Sequence, residues 1–142
     1  MIVYPKIVGE SMKKYEDEFI RSIHRSSTLI EKEGYGFWPR VRKVVELRKR
    51  LNIKRVGVAF CVGLSEEASR LDKVFEAWGL DVYSVACKCG ALDKTKIGLE
   101  EKDKLKPGLY EPMCNPVLQA MVLNQVGTGL NVVVGLCVGH DT

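Results

Sequence analysis

The chain has 142 residues, 46% hydrophobic and 28% charged, with a formal net charge of +4. That suits one soluble globular domain, large enough to bury a core. No apolar run approaches a membrane span, and the N-terminus lacks a basic flank followed by an apolar signal core, so a cytoplasmic protein with no membrane partner is expected.

Between Met12 and Lys32, apolar Tyr15, Phe19, Ile20, Ile23, Leu29 and Ile30 recur at helical spacing among charged residues. The pattern predicts one amphipathic helix stopped at Gly34. Pro39 opens a second helix with Val41, Val44, Val45 and Leu51 on its apolar face, ending near Asn52. A first strand is expected over Arg55 to Cys61. The next helix, Ser65 to Trp78, has Ser65 as N-cap, Glu66 and Glu67 in its first turn and Ala68, Leu71, Val74, Phe75 and Trp78 as its buried stripe. A second strand, Asp81 to Cys87, completes a strand–helix–strand unit, which implies parallel strands and a right-handed crossover.

Residues 88–112 read as a long irregular connection, of the kind that is usually functional or mobile. Asn115 caps a helix from Pro116 to about Gln125, and Gly127-Thr128-Gly129 turns the chain into a third strand, Asn131 to Cys137. The expected fold is α/β: a Rossmann-like three-layer sandwich with a small, mainly parallel sheet of three or four strands and helices on both faces. Residues 1–142 are expected to form a single domain, with a helical part over 1–52 and a strand–helix–strand core over 53–142. Two bare sheet edges point to a partner subunit, as in a homo-oligomer, or to further chain.

The chemistry concentrates in cysteine. Val56-Gly57-Val58-Ala59-Phe60-Cys61-Val62-Gly63 is echoed by Val132-Val133-Val134-Gly135-Leu136-Cys137-Val138-Gly139, and Val82-Tyr83-Ser84-Val85-Ala86-Cys87 lies between. Parallel strands about 4.8 Å apart would place Cys61, Cys87 and Cys137 along one carboxyl edge, where open α/β sheets bind ligands. Cys114, at a helix start, adds a fourth thiol on the same side, and the helix N-terminus would favour its thiolate. Four thiolates without a hard oxygen ligand suit zinc or an iron–sulfur cluster. A cysteine in an apolar strand is ordinarily a small buried hydrophobe; the recurrence on equivalent strand ends is what argues for a shared site. No C-x-x-C knuckle of the structural zinc type is present.

Cys89 is a weaker candidate: in an extended Cys87-Lys88-Cys89 both thiols would point to one face. His140, three residues past Cys137, is a candidate ligand or acid/base, and Asp141 could orient it. His24, between Arg21 and Arg25, reads as solvated surface. Five cysteines, dispersed and odd in number, do not suit a secreted disulfide scaffold.

Other motifs carry less. Gly63-Leu64-Ser65 before a helix resembles a phosphate turn, but Glu66 and Glu67 would repel an anion, and no G-x-G-x-x-G or P-loop is present. A cysteine phosphatase would want arginine where Glu67 stands. The basic run Arg40 to Arg55 reads as a solvated helix face rather than a nucleic-acid surface. Trp38 and Trp78 are expected in the core.

Four segments together resemble a known family. They are Gly57-Val58-Ala59-Phe60-Cys61 with Gly63-Leu64 and Glu67-Ala68; Cys87-Lys88 with Gly90; Met113-Cys114-Asn115-Pro116 with Gln119-Ala120 and Leu123-Asn124; and Asn131 with Gly135 to Asp141. The chain, roughly from Gly34 to Asp141, is similar to a prokaryotic cysteine-rich family described as metal-binding and of unknown function (domain of unknown function eighteen-forty-seven). The resemblance implies metal binding by Cys61, Cys87, Cys114 and Cys137, with His140 and Asp141 nearby, and carries no reaction or substrate. Such proteins usually open with a further cysteine-rich segment and continue past Gly139-His140-Asp141.

Three functions follow as expectations. The first is a protein with a thiolate-rich zinc or iron–sulfur site at the strand ends, for which catalytic residues and a small-molecule substrate stay unnamed. The second is a metal-free thiol or redox enzyme with Cys114 or Cys61 as nucleophile and His140 as base. The third is a nonenzymatic oligomeric interaction module.

Overall fold

A computed structural model describes residues 4–137. The chain divides into two compact units, Met1–Ile53 and Lys54–Thr142.

The first unit is helical: α1 Pro5–Lys14, α2 Glu18–Gly34 and α3 Arg40–Arg50. The single helix expected over 12–32 is two helices. Pro5 starts α1 at a position that needs no N–H donor. Asp17 then begins a new helix by accepting the Ile20 N–H at 3.0 Å, while Arg21 donates to the Tyr15 and Glu16 carbonyls at 2.8 and 3.2 Å. Of the expected α2 stripe only Ile30 is buried, and Phe19 is 66% exposed. Trp38 is partly exposed under the Arg42 guanidinium, 4.3 Å from the ring centroid. His24 is exposed, its ring 5.0 Å from that of Tyr15.

The second unit is α/β. Strands β1 Arg55–Phe60, β2 Asp81–Ala86 and β3 Leu130–Val134 form a parallel sheet in the order β2-β1-β3. Central β1 is buried from Val56 to Ala59, as a strand covered on both faces must be. Helix α4 Ser65–Ala77 links β1 to β2, and α5 Pro116–Val126 links β2 to β3. Right-handed crossovers running in opposite directions along the sheet, from β1 out to β2 and from β2 back past β1 to β3, place these helices on opposite faces. Gly57 faces α5: a Cβ there would lie 2.9 Å from both Leu123 methyls. Val56 and Val58 alternate to the other face. Phe75 of α4 and Leu123 of α5 are buried, each contributing roughly 1.5–3 kcal/mol.

Two helix expectations change. Ser65 is not the N-cap of α4: a 3-10 turn, Val62–Leu64, precedes the helix, and the Ser65 hydroxyl donates to the Val62 carbonyl at 2.5 Å. Trp78 is 44% exposed and Val74 42%, so the stripe narrows to Ala68 and Phe75, with Leu71 half-buried. Asn115 caps α5 as expected, accepting from Leu118 N–H at 2.9 Å. Gly127, with φ of 76°, ends it.

The connection 88–112 has internal order. It holds 3-10 turns Lys94–Ile97 and Glu101–Asp103 and a bridge from Asp93 to Pro112. Buried Lys104 ties it together, donating to Glu101 at 2.7 Å, Asp93 at 2.9 Å and the Leu109 carbonyl at 3.1 Å. Among the described residues no helix is long and apolar enough to cross a membrane.

Candidate functional site

The thiols follow from the ladder. Cys61 and Cys87 each stand one residue past a strand end, and backbone bonds hold them in step: Cys61 N–H donates to the Val134 carbonyl at 3.1 Å, and Cys87 N–H to the Phe60 carbonyl at 2.8 Å. Asn115 N–H donates to the Cys87 carbonyl at 2.6 Å, which brings Cys114 to the same edge. Cys137 is not a strand residue. Strand β3 stops at Val134, and Gly135 turns the chain at φ of 55°, against the Leu64 side chain, two residues before the thiol.

The four sulfurs at this edge form two close pairs. Cys61 and Cys137 Sγ are 3.6 Å apart, and Cys114 Sγ lies 3.8 Å from Cys87 Sγ. Among the described residues, no three or more His, Cys, Asp or Glu side chains are grouped so as to hold a metal ion. All five cysteines are free thiols. Cys87 is buried and Cys137 exposed, so the cluster runs from the core to the surface.

The Val62–Leu64 turn supplies the electrostatics. Val62 N–H donates to Cys87 Sγ at 3.3 Å. The Gly63 backbone N–H, with the Cys137 thiol next in weight, holds the Cys61 thiol below its ordinary pKa. Cys137 is raised, chiefly by its hydrogen bond to Cys61. Within the first pair Cys61 is therefore the more acidic thiol and Cys137 the less acidic. Cys114 departs from expectation: burial, then the hydrogen bond to Cys87, pushes it up to about 11. Desolvation and a neighbouring sulfur outweigh the helix start. The Lys88 charge favours the thiolates of Cys61, Cys114 and Cys137.

Cys89 stands apart. Residues 87–90 form a turn rather than an extended segment, with Cys89 N–H bonded to the Ala86 carbonyl at 3.1 Å. Its sulfur contacts the Asn115 carbonyl at 3.7 Å, and burial raises its pKa. His140 and Asp141 lie outside the described residues.

Two contributors have roles that the sequence left unassigned. One is the pair of backbone amides of Val62 and Gly63, which no side-chain motif announces. The other is Gln119, 1% exposed, whose Nε2 donates to the Val85 carbonyl at 2.7 Å and the Phe60 carbonyl at 3.3 Å. It thus ties together the strand ends that carry Cys87 and Cys61, while its Oε1 is buried without a partner. Its position in an otherwise apolar stretch of α5 was the available signal.

A family model described as Protein of unknown function (DUF1847) matches residues 2–142. The chain is 38% identical over 135 residues to an uncharacterized protein of Methanocaldococcus jannaschii, covering 95% of this chain and 68% of that protein. No solved structure matches.

Proposed function

This chain belongs to the family described as Protein of unknown function (DUF1847), and from that premise we propose that it binds a metal through Cys61, Cys87, Cys114 and Cys137 at the carboxyl edge of the sheet. The sulfur spacing carries the reading. Tetrahedral zinc with Zn–S of about 2.3 Å has a sulfur–sulfur edge of about 3.8 Å, and the two pairs stand at 3.6 and 3.8 Å. The donor set is soft, which suits zinc or an iron–sulfur cluster. Bound metal would replace the thiol protons, and the Val62 and Gly63 amides would then donate to thiolate sulfur. Zinc would lock the edge structurally, whereas an iron–sulfur cluster would supply one-electron chemistry. His140 is proposed as a further ligand, with Cys89 and Asp141 as outlying groups.

Elemental analysis of anaerobically purified protein tests this. About one zinc, or iron with matching sulfide, is expected per chain. Serine at 61, 87, 114 or 137 should lower occupancy about tenfold or more, whereas Cys89→Ser should not. Metal-free protein in which one thiol alkylates far faster than the others would overturn the reading. It would favour a dithiol redox protein instead, in which Cys61 and Cys137 give up two protons and two electrons to an external disulfide. The 3.6 Å separation of that pair is the observation behind this second reading. Free thiols throughout suit a reducing cytoplasm. The bare edges of β2 and β3 suit a homo-oligomer, which light scattering would test.

A further inference from the structure

Residues of the 88–112 connection enclose a cleft of about 330 Å³ lined by Lys88, Leu105, Lys106, Leu109, Tyr110 and Glu111. That volume is at the lower end of the range for small-molecule sites, roughly 300–1,000 Å³. Its charges are unequal in availability. The Glu111 carboxylate is already engaged by Lys94 and by the Leu105 N–H at 2.9 Å. Among the described residues Lys88 and Lys106 pair with no carboxylate. The cleft therefore offers two ammonium groups beside a neutralised acid.

Its body is apolar. Leu105 is 87% exposed, Leu109 59% and Tyr110 61%, three large side chains left to solvent around one hollow. The walls are held in place: Tyr110 Oη donates to the Ala91 carbonyl, Lys104 to the Leu109 carbonyl at 3.1 Å, and Glu111 N–H to Asp93 at 2.9 Å. Preorganised walls lower the ordering cost of binding. Lys88 belongs to two places at once, since it lines the cleft and its charge also reaches three of the four clustered thiols.

We propose that this cleft binds a small organic anion, its acid group held by Lys88 and Lys106 and its apolar body against Leu105, Leu109 and Tyr110, at the margin of the cysteine cluster. Two ammonium charges favour a carboxylate or phosphate, and the exposed leucines and tyrosine favour a ligand with an apolar part over an inorganic ion. The proposal rests on the metal reading for what the anion is brought to, and not for whether it binds.

The probe is phenyl phosphate, titrated into 15N-labelled full-length protein as purified and followed by amide shifts, with benzyl alcohol as the neutral counterpart. Saturable shifts at Lys88 and across Leu105 to Glu111 are expected, with a Kd of about 1 mM or tighter. Lys106→Gln and Lys88→Gln should each weaken binding about fivefold or more. Lys102→Gln, outside the cleft and paired with Glu100 at 2.7 Å, should leave it unchanged. Absence of saturation, equal binding of benzyl alcohol, or indifference to both lysine substitutions would overturn the proposal. Lys106 is exposed, so its variant answers even if Lys88→Gln misfolds. Metal content and Cys137→Ser separate the two readings. Lysine-dependent binding by protein that holds no metal as anaerobically purified keeps the cleft and sinks the metal site; metal without saturable binding does the reverse.

Discussion

At the residue scale, the position that sets the site most tightly is Gly57, and the reason is steric. It lies in buried β1, where a Cβ would press into both Leu123 methyls and the Asn131 side chain. Helix α5 can approach the sheet closely only because that atom is missing. The same helix carries Gln119, which bonds the strand ends bearing Cys61 and Cys87. Gly57→Ala is therefore expected to lower stability by about 1–3 kcal/mol through overpacking. Urea unfolding checks this, and an unchanged midpoint would sink the close-approach argument. Gly57 was visible in the sequence as part of a β-type run, but its role was not. A glycine in a strand can mark a bulge or a close approach, and only the packing of α5 decides between them. Gln119 stood in the sequence only as part of a motif, because a lone amide on a helix does not say which carbonyls it serves until the strand ends are placed. The cysteines were legible because their spacing repeats, yet their electrostatics were not. Cys114 was expected to favour its thiolate at a helix start, and burial beside Cys87 drives it the other way.

At the scale of elements, the strands and the helices α3, α4 and α5 could be read from periodicity and turn residues, and α5 also from its Asn115 cap. What could not be read was where periodicity ceases to mean burial. The apolar pattern of 12–32 continues through a helix break set by Asp17, a single side-chain bond. Strand β3 ends early because Gly135 adopts a left-handed turn, which Val134 and Leu136 could not foretell. The 88–112 connection is the largest such case, since its order comes from ion pairs between residues that look like ordinary surface charge. Lys104 is held above its ordinary pKa chiefly by Glu101 and then Asp93. Asp93 is held below its own, first by the Thr95 and Glu111 amides and then by Lys104, and Glu101 likewise chiefly by Lys104. Lowered acids contribute stability above their unfolded pKa values, near 3.8 and 4.5, and lose it as pH falls through the folded ones. The raised lysine contributes below 10.5 and loses its contribution as pH rises through the folded value. The connection should thus be most protected between about pH 5 and 10. Lys104→Met should speed amide exchange over 93–111 about tenfold or more at pH 7. Exchange at the wild-type rate would show that the ion pairs do not order it.

At the scale of the whole molecule, stability and metal binding become one question. Among the described residues the α/β unit rests on three parallel strands, with β2 and β3 each leaving an edge unpaired, a sheet near the lower limit of independent stability. Its core is small, and the cysteine edge is where the strand tips, the Val62–Leu64 turn, the start of α5 and the segment after Gly135 all meet. A metal bound there by four thiolates would cross-link those segments in the folded state alone. A ligand that binds only the folded state stabilises it by RT ln(1 + [L]/Kd), about 4 kcal/mol at a thousandfold excess over Kd. For a unit of this size each kcal/mol moves Tm by about 4–8 °C. Chelation under reducing conditions should therefore lower Tm by roughly ten degrees or more, and zinc or reconstituted cluster should restore it. Binding needs deprotonated sulfur, and Cys114, pushed up to about 11, pays most for that; the stabilisation should consequently grow as pH rises from 6 to 8. Cys61→Ser and Cys114→Ser should abolish both the chelator effect and its pH dependence, whereas Cys89→Ser should keep both. A Tm indifferent to chelator in the wild-type protein would mean that hydrogen bonds and packing alone hold the four sulfurs together, and the two thiol pairs would then have to be explained by redox chemistry.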